Sequence, residues 1–356
     1  MLRTPFFDPE RTYKQNYEEG PFGDFRDGKI FKNSGAPQYS FLDNPVFLPF
    51  GIPAGPLLNG KYVKAALDKG FDIATYKTVR TKQYPTNEWP NVLAVNIKGD
   101  LSLERAEKGV IGTHKYLEPM AITNSFGVPS YDPSVWQPDL AESVKYAKEG
   151  QVVVGSFQGT VSAEGRVQDY VRDFVIAARM VKETKVKILE VNLSCPNEGS
   201  AHLLCFDLER TKEIVEAIKN EIGNTPLIIK IAYFEDDERL KKLVELVGGV
   251  VDAIAAINTI PARVYDEDGK QALPGGASRL WSGICGHPIK WAGIDSVKRL
   301  RRYRGDLGMK FTIIGVGGVI SRGDYVDYVD AGADAVMSAT GAMWNPHLAA
   351  EIKSGA

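Results

Sequence analysis

The stretch Lys187-Ile-Leu-Glu-Val-Asn-Leu-Ser-Cys-Pro-Asn197 runs from an apolar segment into a polar cluster with no spacer between them. Ile188, Leu189 and Val191 read as a buried strand, and Pro196 forbids continuation of its ladder. Asn192, Ser194, Cys195 and Asn197 stand at its end. A lone cysteine or asparagine there is usually a packed thiol or a turn former. Four polar groups crowded after one strand are harder to dismiss. Two amides and a titratable thiol on a stiffened backbone form a reading head for a flat, amide-rich molecule.

The same pattern repeats outward from this stretch. Strand-like runs near residues 47, 74, 154, 190, 229, 255, 313 and 336 alternate with helical segments, such as Glu164–Glu183 with its apolar residues at helical spacing. The first run is placed at Val46–Leu48, and the helix before the third run at Pro138–Glu149. Eight parallel strand–helix units predict an α/β fold, a TIM (β/α)8 barrel. A doubly wound open sheet would want a dinucleotide fingerprint after its first strand, and none is there. Residues 1–43, rich in charge, Gly, Pro and aromatics, read as an N-terminal extension wrapping the barrel. Residues 44–356 read as the catalytic barrel domain, and about 80–137 as a long insertion after the second strand, an excursion or lid over one end.

The chain has 356 residues and a net charge of −2, with signs mixed along its length. No basic face advertises nucleic acid or an anionic membrane, so small-molecule partners are expected. Cys195, Cys205 and Cys285 lack the spacing of a disulfide framework, a zinc site or an iron–sulfur site, which suits a reducing compartment and no metal. The start, Met1-Leu-Arg-Thr-Pro-Phe-Phe-Asp-Pro, is neither signal peptide nor amphipathic anchor. A soluble cytoplasmic protein is expected.

Active sites of such barrels lie at the carboxyl ends of the strands. There stand Ala54 and Gly55, Lys77, Ser156 and Gln158, the Asn192–Asn197 cluster, Lys230, Asn258 and Thr259, Gly317 and Gly318, and Ala339 and Thr340. Gly315-Val-Gly-Gly318, with Ala339-Thr340-Gly341 before the last helix, suits a phosphate held by backbone amides. Lys230 within Leu-Ile-Ile-Lys-Ile cannot be buried unpaired. It either pairs with an acid on a neighbouring strand or points, with Lys77, at an anionic ring on the barrel axis. A ring that becomes negative on reduction is a flavin.

These residues resemble the flavin-dependent dihydroorotate dehydrogenases. Asn192-Leu-Ser-Cys-Pro-Asn197 is similar to the family signature, and the cysteine at 195 resembles the class 1 branch, where class 2 carries serine. The similarity runs from about Asn44 to the last helix. It takes in Asn44-Pro-Val, Pro53-Ala-Gly55, Lys77, Asn124-Ser-Phe-Gly-Val128, Lys230, Asn258-Thr259, Gly283 and Gly286, Gly317-Gly318 and Ala339-Thr340. The sequence departs from the pattern in a longer stretch between Lys77 and Asn124, an insertion at Phe50-Gly-Ile-Pro-Ala, Phe126 where methionine is common, and Ala339 where glycine is common.

The resemblance implies oxidation of dihydroorotate to orotate in de novo pyrimidine (UMP) biosynthesis. Cys195 removes the C5 proton while hydride passes from C6 to N5 of FMN, and Lys230 stabilises the negative charge that develops on the ring. By the same resemblance Asn124, Asn192, Asn197, Asn258 and Thr259 hold the pyrimidine amides. Lys77 and the backbone of Phe126, Gly127 and Val128 hold the carboxylate. FMN is held by Ala54, Gly55, Lys77, Asn192, Lys230, Gly283, Gly286, Gly317, Gly318, Ala339 and Thr340. The implied electron acceptor is fumarate, or a partner subunit carrying FAD and an iron–sulfur cluster, and the implied assembly is a homodimer. Two readings stay open beside it: a flavin enzyme acting on another dihydropyrimidine, and a flavin-free phosphate-ligand lyase or epimerase with Lys230 as a Schiff-base lysine.

Overall fold

A computed structural model describes residues 2–161, 167–194 and 203–355. Eight parallel strands close into a barrel: β1 (Phe50–Ile52), β2 (Ile73–Val79), β3 (Val152–Phe157), β4 (Ile188–Asn192), β5 (Leu227–Ile231), β6 (Ala253–Ala256), β7 (Thr312–Val316) and β8 (Ala335–Met337). Each is sheathed by helix outside and filled by side chains inside, which is why these strands read as apolar runs without alternation. Around them lie α1 (Gly60–Asp68), α2 (Pro133–Tyr146), α3 (Val167–Glu183), α4 (Leu208–Ile222), α5 (Asp237–Val247), α6 (Lys290–Asp306), α7 (Arg322–Ala331) and α8 (Leu348–Ser354). Asn59, Asp132, Asp207, Asp236 and Ser321 cap their helices by accepting a first-turn N–H. Each such cap is worth about 1 kcal/mol. The Asp132 cap and Pro133 in the first turn start α2 at 133, ahead of the expected 138.

Inside the barrel, Ile73, Val152, Val154, Ile188, Ile228, Ala253, Ala255, Ile314 and Val316 form one cluster, joined from below by Phe41 and Val46. Those last two come from a hairpin, Tyr39–Phe41 against Asn44–Val46, that closes the amino end. The first strand is therefore not Val46–Leu48. The barrel position belongs to Phe50–Ile52, which pairs with β8 on one side and β2 on the other. This three-residue strand passes so close to β2 that a Cβ on Gly51 would stand 2.2 Å from the Ile73 carbonyl oxygen.

A second, five-stranded barrel roofs the carboxyl end. Ala94–Val95, Val110–Thr113 and Ala121–Asn124 come from the segment after β2, while Ile260–Tyr265 and Trp281–Gly286 come from the segment after β6. The last two are strands although they carry Pro261, Gly283 and Gly286. Gly283 pairs with Asn124, and Cys285 with Ile122, so the two excursions are halves of one structure.

The N-terminal segment does more than cover the surface. Its helix Tyr13–Glu19 opens with a Thr12–Gln15 capping box, and Phe6, Phe7 and Tyr13 are buried. At the far end, Lys353 of α8 donates to buried Asp72 at 2.7 Å and ties the C-terminal helix beneath β2. Among the described residues no helix is long and apolar enough to cross a membrane.

Candidate functional site

Period-two alternation sends Thr75 and Lys77, Ser156, Glu190 and Asn192, and Lys230 into the barrel interior above the apolar layers. Of these, Lys77, Glu190, Asn192 and Lys230 reach the floor of a cleft between the barrel mouth and the roof, whose space is about 1140 Å³ with its open mouth included. Ala54, Gly55, Lys77, Asn124, Phe126, Val128, Asn192, Lys230, Asn258, Thr259, Ala339 and Thr340 all line it. Cys195 and Asn197 lie outside the described residues.

The amides at the strand ends are tied to one another. Asn192 Nδ2 donates to Gln158 Oε1 at 2.8 Å, and Asn192 Oδ1 accepts from the Ser194 backbone and hydroxyl at 3.2 Å. Asn258 Nδ2 donates to Ser194 Oγ at 2.9 Å. This chain links β3, β4 and β6 and fixes the start of the segment that carries Cys195.

Five predicted glycines do not themselves line the cleft. Gly283 stands behind Thr259, where a Cβ would meet Oγ1 at 2.3 Å. A Cβ on Gly286 would lie 2.1 Å from the Met120 carbonyl oxygen, so this glycine permits a backbone crossing in the roof. Gly127, at φ +78, turns the loop between Phe126 and Val128. Gly317 and Gly318 follow β7 at φ +127 and +71, which side chains rarely adopt. The Tyr328 hydroxyl donates to the Gly317 carbonyl at 2.6 Å, and His287 Nδ1 lies 3.1 Å from the Gly318 carbonyl. With both carbonyls held in the protein body, the planar peptides turn the N–H groups of Gly318 and Val319 the opposite way. That is the arrangement an anion site needs.

Several lining residues escaped the sequence reading. Phe7 and Tyr13 reach the cleft from the N-terminal segment, with ring centroids 5.5 and 5.9 Å from that of Phe126. Cys285 brings a thiol, whose pKa burial pushes up to about 11, so it is neutral at physiological pH. Glu190 is the neighbouring-strand acid considered for Lys230. Burial raises its carboxyl pKa, with Lys230 and then Ser156 opposing, while burial lowers the Lys230 ammonium and Glu190 supports it. Lys230 therefore faces an acid and lines the cleft at once. An acid inside an apolar strand was the available signal.

The family model for dihydroorotate dehydrogenase matches residues 39–355. A dihydroorotate dehydrogenase of Dictyostelium discoideum is 34% identical, over 98% of this chain and 96% of the relative. The chain belongs to the dihydroorotate dehydrogenase family. A family member from Thermodesulfovibrio yellowstonii, the catalytic subunit of dihydroorotate dehydrogenase B (NAD(+)), is 26% identical over 74% of this chain and 81% of its own. The crystal structure of DHODH from Eimeria tenella, in complex with ferulenol, shares the fold with a TM-score of 0.68 at 19% identity, covering 88% of this chain and 81% of that one.

Proposed function

We propose that this chain oxidises dihydroorotate to orotate in pyrimidine biosynthesis, with FMN as its flavin and Cys195 as the base, in the manner of the class 1 enzymes. The observation that carries this reading is the cleft itself, in which two buried lysines and a chain of strand-end amides converge under a roof inside a dihydroorotate dehydrogenase fold.

The residues present suit a flavin. The cleft brings cationic, amide and apolar groups to one place, the mixture that a flavin and a pyrimidine together require. Both Glu190 carboxyl oxygens are buried without a hydrogen-bond partner among the described residues, which suits a floor completed by a polar ligand. The amide edge after Gly317 and the N-terminal end of Thr340–Trp344 would hold the phosphate, Ala54 and Gly55 would flank the ring, and Lys77 and Lys230 would face its polar edge. When bound, the flavin supplies a hydride acceptor.

The chain's own groups do the rest. Cys195 removes the C5 proton as thiolate; the ordinary thiol value near 8.5 needs only modest depression to supply it. Asn124, Asn192, Asn197, Asn258 and Thr259 orient the pyrimidine, and Lys77 with the backbone of Phe126–Val128 holds the carboxylate. The roof, with Phe7, Tyr13 and Phe126 at its rim, excludes water from the exchange. In this reading residues 44–356 form the catalytic unit, the chain works as a homodimer in the cytoplasm, and fumarate or a flavin-bearing partner subunit takes the electrons. Incubating the holoprotein with fumarate and either dihydroorotate or dihydrouracil tests the reading. Orotate formation without turnover of dihydrouracil is expected; the reverse preference would move the chain to a different dihydropyrimidine.

A further inference from the structure

Glu190 and Lys230 carry opposite charges into the barrel from adjacent strands. In the parallel register Ile228 lies beside Glu190 and Lys230 beside Asn192, which sets the ammonium one inward step nearer the mouth than the carboxyl. Glu190 is fully buried, yet it lines the cleft, and neither of its oxygens has a hydrogen-bond partner among the described residues. Thr75 Oγ1, inward on β2, is unpartnered in the same way. Leaving a buried polar group unsatisfied costs roughly 1–3 kcal/mol, and more for a charged one. At or just above this level Lys77 comes from β2, Ser156 from β3 and Lys230 from β5, while β6, β7 and β8 bring Ala255, Val316 and Met337. Glu190 is the acid of this floor, set against two lysines.

We infer that Glu190 takes up a solvent proton when the bound cofactor is reduced, and so acts as a positioning residue that leaves the Lys230 ammonium to the ring. The inference rests on the flavin reading. Before reduction, carboxylate and ammonium compensate one another. Reduction adds negative charge on the ring side of Lys230, so its ammonium then stands between ring and carboxylate, and the added charge makes the carboxylate costlier in a poorly solvated interior. Burial already disfavours the carboxylate, which makes it the group that yields. The step balances simply: the electrons go to the ring from the reductant, and the Glu190 carboxylate binds H⁺ to become the acid, with no change in its oxidation state.

The test is a reduced-minus-oxidised infrared difference spectrum of the holoprotein, taken anaerobically with dithionite so that the result does not depend on the substrate. The wild-type chain is expected to gain the carbonyl band of a protonated carboxylic acid, moved by exchange into D2O and absent from Glu190→Gln. A pH series of reduction potentials should then show one proton fewer per two electrons in that variant. If Glu190→Gln does not retain cofactor, Glu190→Asp should keep the band at a shifted position. A wild-type spectrum without the band, or one unchanged in Glu190→Gln, overturns the inference while leaving the flavin reading intact. A chain that takes up no flavin overturns both.

Discussion

Arg80 Nε donates to the Val128 carbonyl at 3.0 Å and holds a β-branched residue at φ +51. A valine in that region carries strain of about 1–3 kcal/mol, which persists only where its surroundings impose it. The same buried guanidinium donates to the Gly159 carbonyl and the Thr160 hydroxyl, each at 3.0 Å, and so fastens the Asn124–Val128 loop to the end of β3. Lysine cannot span these acceptors. Arg80→Lys should raise KM for dihydroorotate by about tenfold, about 1.4 kcal/mol of lost orientation, while the flavin stays bound. Steady-state kinetics with an unchanged KM would show that the loop does not hold the substrate.

Cys195 and Cys285 should behave differently. Cys195→Ala should slow reduction of the flavin by dihydroorotate at least about a hundredfold, the range ascribed to one general base. Cys285, kept neutral by burial, already carries its proton and cannot act as the base, so Cys285→Ser should be reduced at close to the wild-type rate. Stopped-flow traces in which the two effects are exchanged would reassign the base.

Gly283 leaves no room behind Thr259. In Gly283→Ala the new methyl would lie 2.3 Å from Thr259 Oγ1 and 2.9 Å from its Cβ, so Thr259 must move into the cleft or the roof must shift. Overpacking of this kind costs about 1–3 kcal/mol. A lowered urea midpoint together with a raised KM is expected; a variant with wild-type values of both would remove Thr259 from the site.

Asp72 gives stability a pH dependence opposite to that of an ordinary salt-bridged acid. Burial raises its pKa to about 6 against 3.8, and this outweighs the attraction of Lys353. Between those values the folded chain holds a proton that the unfolded chain has released. Its contribution is therefore full below about pH 4 and lost as pH rises through 6, on the order of 3 kcal/mol. Asp72→Asn should flatten the fall in unfolding free energy between pH 4 and 6. A wild-type curve whose Asp72-dependent part rises over that interval would mean that the ion pair wins.

Most of the barrel was legible because seven of its strands are buried on both faces and read as largely apolar runs. The first was misplaced because Phe50-Gly-Ile is short and has glycine at its centre, whereas Val46–Leu48 looks more strand-like alone. The roof was not legible. Its strands Ile260–Tyr265 and Trp281–Gly286 contain Pro261, Gly283 and Gly286, and they find partners far away in sequence, at Val110–Thr113 and Ala121–Asn124. Pairing at that separation leaves no local signal. In the site, Lys230 stood out as a charge in an apolar strand. The same argument applied to Glu190 would have found its counter-charge, and Phe7 and Tyr13 reach the cleft only through tertiary packing.

The central claim, that this cleft passes hydride from dihydroorotate to a bound flavin, is tested most directly by a single anaerobic turnover. The purified holoprotein is mixed with one equivalent of dihydroorotate while flavin absorbance and orotate are followed together. The account predicts loss of the oxidised-flavin band with one orotate formed per flavin reduced. A flavin that keeps its oxidised spectrum under dihydroorotate, yet bleaches with dithionite, would contradict it.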